Sequence, residues 1–119
     1  RVKKLLTEWR KYLKENSLNY MRGDCALLAT AVGDLSGLPT YGVVDADDNI
    51  QHVFVYDEST DEGIDCRGRM PVGEIKNNIQ GEGLSVREVG IEELQQVFGL
   101  NSYSNEEWEE AEEEAASLV

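Results

Sequence analysis

The chain has 119 residues, 29% of them charged, and a formal net charge of −13 at pH 7. So acidic a surface opposes nucleic acid and anionic membranes, both of which are held by clustered Lys and Arg. The length suits one domain with a real core, without room for two lobes around a deep cleft. No apolar run reaches membrane-spanning length.

The two cysteines make no disulfide framework, and the charged N-terminus has no apolar signal-peptide region. A cytoplasmic setting is the expectation. An opening on Arg1 is consistent with a fragment or a processed product. Charge is uneven: six of the eleven basic residues fall within the first fourteen positions, and seven glutamates fall between Glu106 and Glu114. Exposed ion pairs are worth only ~0–1 kcal/mol each, so these read as two solvated helix faces rather than as a clasp.

Val2, Leu5, Leu6, Trp9, Tyr12 and Leu13 recur at three- and four-residue steps, predicting an amphipathic helix over about residues 2–15. Its apolar face is expected to dock on the domain, with Lys3, Lys4, Arg10, Lys11 and Lys14 outward. A polar connector leads to Gly23-Asp24, where Asp24 is placed to cap the next helix with its carboxylate. That helix, about residues 25–36, is apolar nearly all round and is stopped by Gly37 and Pro39. It is therefore expected at the centre of the fold.

An antiparallel meander follows: a strand over 41–45, a turn at Ala46 to Asn49, a strand over 50–57 and a short strand over 63–66. In the middle strand Ile50, His52, Phe54 and Tyr56 are expected on one face and Val53 and Val55 on the other. Asp65 is expected to point away from Ile64 and Cys66. Beyond Arg67-Gly68 the pattern gives a short helix over 71–79, a strand over 84–89 and a helix over 91–98 stopped by Gly99. A last helix over about 105–118 would be capped by Asn105. With only alanines, Leu118 and Val119 after Trp108, that helix is expected to be more mobile than the first one. The fold class is thus α+β, a single domain over 1–119 with its core over about 19–90.

Three residues within this frame carry chemistry: Cys25, His52 and Asp65. A thiol in the first turn of a helix is favoured as thiolate by the backbone N–H groups there and by a nearby imidazolium. His52, the only histidine, could take the thiol proton on one ring nitrogen while a carboxylate orients the other. Asp65 can be that carboxylate from the adjacent strand. Singly, each has a plainer role: Cys25 and His52 as core residues, Asp65 as a partner of Arg67 or Arg69. A metal site formed by Cys25, His52, Asp65 and Cys66 is disfavoured, since neighbours on a strand point to opposite faces and no Cys-x-x-Cys spacing supports it.

The ordered set Gly23-Asp24-Cys25, Gln51-His52-Val53-Phe54-Val55 and Gly63-Ile64-Asp65-Cys66-Arg67-Gly68 resembles the papain-like thiol enzymes. The match is to their compact microbial forms, a broad group that includes cell-wall amidases and transglutaminase-like members, and it covers residues 19–68. It implies a papain-like core, a central helix starting at the cysteine and packed on an antiparallel sheet, with peripheral helices at both ends. It also implies Cys25 as nucleophile, His52 as base and Asp65 as orienting acid. Asn19 stands where the family has a side-chain amide for the oxyanion, beside the Cys25 backbone N–H.

The activity expected is a cysteine-dependent hydrolase or acyltransferase (a peptidase, amidase or deamidase) acting on a protein, peptide or small amide. It needs no cofactor or metal. Two other readings are an acidic binding or inhibitor protein of the nucleic-acid-mimic type, and an inactive papain-like domain that keeps the triad as packing. Thiol and imidazole on opposite faces of the sheet would exclude the triad.

Overall fold

The computed structural model describes residue 20 and residues 24–119; the helix expected over 2–15 and Asn19 lie outside the described residues. Helix α1, Cys25–Ser36, is followed by strands β1 (Thr40–Val44), β2 (Ile50–Asp57), β3 (Glu62–Asp65) and β4 (Gly68–Pro71). Then come α2 (Val72–Asn77), β5 (Ser85–Glu88), α3 (Ile91–Phe98), a 3-10 turn at Leu100–Ser102 and α4 (Asn105–Leu118). The five strands form one antiparallel sheet in the order β4-β3-β2-β1-β5. The protein is α+β, with α1 packed against that sheet.

Helix α1 ends where glycine lets the chain turn: Gly37 is left-handed (φ 75°) and its N–H returns to the Gly33 carbonyl. At its start Asp24 occupies the N-cap position but makes no side-chain cap bond. Its carboxylate instead accepts the Tyr103 hydroxyl at 2.5 Å. The expected cap was thus diverted by a partner 79 residues away. The cap of α4 is Ser104, not Asn105, in a reciprocal capping box with Glu107.

The sheet separates two apolar layers. On one face Val53, Val55 and Ile64 pack with Leu27, Leu28 and Val32 of α1, with Leu94 of α3 and with Ala111 and Ala115 of α4. On the other, Val43, Phe54 and Ile75 pack with Tyr41, Tyr56, Met70 and Val86. Burying a side chain such as Phe54 or Leu27 stabilises the fold by roughly 1.5–3 kcal/mol, and both are fully buried. The comparison of α4 with the first helix falls on residues outside those described, but α4 itself is packed on the domain. Ala111 and Ala115 lie one turn apart and are both 0% exposed, because a methyl side chain lets α4 approach α1 closely.

Two details position the centre of the molecule. Register slips between Val43 and Val44, so that Val43 pairs with His52 and Val44 with Ile50. This bulge leaves Gln51 as an extra residue and turns Ile50 onto the α1 face, against Val53's layer. His52 keeps the face of Phe54, with which the sequence pattern had also grouped Ile50. At Gly63 the backbone of β3 runs so close to Ile75 and Phe54 that a Cβ would collide with both.

Candidate functional site

His52 and Asp65 are brought together. Beyond the last paired rung of β2 and β3, Val55 with Ile64, Asp65 falls opposite Phe54, and the pleat gives it the same face as His52. His52 Nε2 and Asp65 Oδ2 are 3.0 Å apart, with the imidazole 0% and the carboxylate 2% exposed. The other ring nitrogen, Nδ1, is buried without a hydrogen-bond partner among the described residues. An imidazole held at Nε2 by a carboxylate carries its proton there when neutral, which leaves Nδ1 a vacant acceptor.

The carboxylate is held from its second side by Arg67. The Arg67 backbone N–H donates to Oδ1 at 2.8 Å, its Nε reaches both oxygens at 3.2 Å, and Nη2 reaches Oδ2 at 2.5 Å. Burial opposes the Asp65 charge, but the bonds from His52 and Arg67 outweigh it and hold the carboxyl at about 2. The tight turn to Gly68, left-handed at φ 109°, brings Arg67 back onto Asp65. In the sequence Arg67 stood only as a competing partner for Asp65; both pairings form at once. The available signal was an arginine two residues after the acid and one before a glycine.

Cys25 opens α1 as expected and is 3% exposed. The helix lies on the Val53 face, opposite to His52, and Cys25 packs in that layer, the arrangement that counts against a triad. Tyr56 N–H bonds to the Pro39 carbonyl on the β1 side, so by alternation Val53 N–H points to the β3 side, where the β2–β3 rungs have stopped. That N–H is directed at the Cys25 sulfur, as are the N–H groups of Ala26 and Cys25 itself. Burial nevertheless dominates and pushes the thiol up, with Asp24 acting the same way. This is the reverse of the depressed thiol expected from a first-turn position alone. No hydrogen bond joins the thiol to the His52 ring among the described residues.

Thus the backbone amide directly after His52 meets the sulfur, His52 and Asp65 are paired, and the thiol–imidazole bond is unmade. Cys66 is half-buried against the α1 layer, and burial followed by the Asp65 charge pushes its thiol up too. Asn19 lies outside the described residues. A surface cleft of about 480 Å³ is lined by Thr30, Asp34, Leu38, Thr40, Val89 and Ile91, at the far end of α1 from Cys25. Among the described residues no group of three or more His, Cys, Asp or Glu could hold a metal ion, and no helix is long and apolar enough to cross a membrane. Comparison with family models, curated proteins and solved structures gave no match.

Proposed function

We propose that the protein is a cysteine-dependent hydrolase or acyltransferase of papain-like type, with Cys25 as nucleophile, His52 as base and Asp65 as the acid that orients it. One observation carries this: a fully buried imidazole, held at Nε2 by a carboxylate, keeps Nδ1 without a hydrogen-bond partner among the described residues, on the strand whose next amide is directed at the Cys25 sulfur. A buried acceptor without a donor costs about 1–3 kcal/mol. A structural histidine has no reason to bear that cost, whereas a base awaiting the thiol proton must. In the reaction the S–H proton passes to Nδ1, the sulfur attacks an amide or ester carbonyl, and the leaving amine or alcohol takes the proton back. Water or a second acceptor then releases the acyl group. Asn19 and the Cys25 N–H are assigned to the oxyanion, and the substrate class is a protein, peptide or small amide in the cytoplasm.

A generic activated ester tests this without knowledge of the substrate. With p-nitrophenyl acetate, nitrophenolate should appear in a burst and one acetyl group should be retained on Cys25 by intact-mass analysis. Cys25→Ser should abolish the adduct and His52→Ala should slow it by about 10²–10⁴-fold. Acylation independent of Cys25, or none, sinks the enzyme. The second reading, an inactive papain-like domain, is favoured by the burial of the thiol and its missing bond to His52. It predicts no acylation of the folded protein at any pH.

A further inference from the structure

We infer that Arg67 is a positioning residue that keeps the site's resting state neutral, by drawing the Asp65 charge away from His52. The inference rests on the thiol-enzyme reading above. Asp65 Oδ2 is shared: His52 Nε2 lies at 3.0 Å and Arg67 Nη2 at 2.5 Å, with Arg67 Nε at 3.2 Å. In a site where Asp65 faced His52 alone, its full charge would favour an imidazolium, and the imidazolium would in turn favour a Cys25 thiolate. Here a fixed cation sits against the same carboxylate, and that carboxylate is 2% exposed and its contact with His52 fully buried, so water screens the His52 contact little.

The guanidinium thus sets how much of the Asp65 charge His52 feels. A thiol that stays protonated at rest, as burial of Cys25 also favours, is ionised only when substrate arrives and the proton moves to Nδ1. The guanidinium is 30% exposed, so it can be reached from the surface without opening the core. The other titratable groups in reach are Asp24 and Tyr103 beside Cys25, and Cys66 and Glu74 beside the Asp65–Arg67 pair. Glu114 acts on Cys66 in turn, and Cys66 on Tyr20.

The pH profile of Cys25 alkylation by iodoacetamide, followed by peptide mapping, reads this out in the whole chain. Arg67→Gln should move the profile to lower pH by about one pH unit, since His52 then faces an uncompensated carboxylate. Arg67→Lys, which keeps a charge there, should stay near wild type. If Arg67 only braced the turn, its loss would slacken Asp65 and leave the profile unmoved or shifted upward. Either of those results in a variant with native circular dichroism overturns the inference. His52→Ala in the same assay separates the two ideas. Should it leave the profile unchanged, thiol and imidazole are uncoupled and both readings fall. Should it move the profile while Arg67→Gln does not, this inference alone falls.

Discussion

Two of the arginines that bind carboxylates are almost equally exposed: Arg67 at 30% and Arg87 at 32%. Their acids differ. Asp65 is 2% exposed, whereas the partners of Arg87, Asp48 and Glu93, are 68% and 36% exposed. Arg87 ties the β1–β2 turn to α3 across the surface; Arg67 ties down a carboxylate that already holds a buried histidine. The energetic weight of an ion pair thus follows its less exposed member, because that member has no water to return to when its partner leaves.

The contrast can be broken most directly at Asp65. Asp65→Ala leaves a buried imidazole and a guanidinium facing a vacated pocket, and should cost about 3–5 kcal/mol, measured as the shift in urea unfolding. A loss below about 1 kcal/mol would put Asp65 in the same class as the exposed acids of Arg87.

Acid sharpens the comparison next. Asp65 is held at about 2, below its ordinary 3.8. Its stabilisation is therefore complete above the ordinary value and is lost as pH falls through the folded one. Unfolding at stepped pH should show a decline on the order of 2 kcal/mol between about pH 4 and pH 2. Asp65→Asn should flatten the curve in that window. Glu93 is also held low by Arg87, but on the surface, so Glu93→Gln should leave the curve nearly unchanged.

The smallest effect belongs to the surface cluster. Arg87→Ala should cost no more than about 1 kcal/mol in dilute buffer, and the difference should shrink in 1 M salt, where the Debye length is about 3 Å. A loss that survives high salt would show that Arg87 acts through packing.

The helix that starts at Cys25, the middle strand and the turn glycines were legible because periodicity and backbone conformation are local properties. So was the opposition of Asp65 to Ile64 and Cys66, which follows from the pleat. What escaped the sequence depends on distant partners. The bulge that separates Ile50 from His52 is set by pairing with Val43 and Val44. Tyr103 claims the carboxylate of Asp24. Strand β4 has no alternating pattern to announce it, since Gly68, Arg69, Met70 and Pro71 pair with β3 largely at the surface. In α4 the alanines looked too small to matter, yet small size is what admits them between helices. At the site the order of parts was readable; the burial of Cys25 and the divided allegiance of Asp65 were not.

The crowding at Gly63 has a consequence for descent. No side chain fits there without displacing Ile75 or Phe54, and overpacking a core costs typically ~1–3 kcal/mol. Gly68, five positions on, is fixed for a separate reason, its left-handed backbone. Between them stands the acid that holds His52. Any homologue that keeps this architecture should therefore keep the spacing Gly-x-Asp-x-x-Gly eleven residues after its histidine, however far its acidic surface has drifted. A lineage that loses the aspartate while retaining both glycines would mark where the architecture persisted and the buried His52–Asp65 pair was given up.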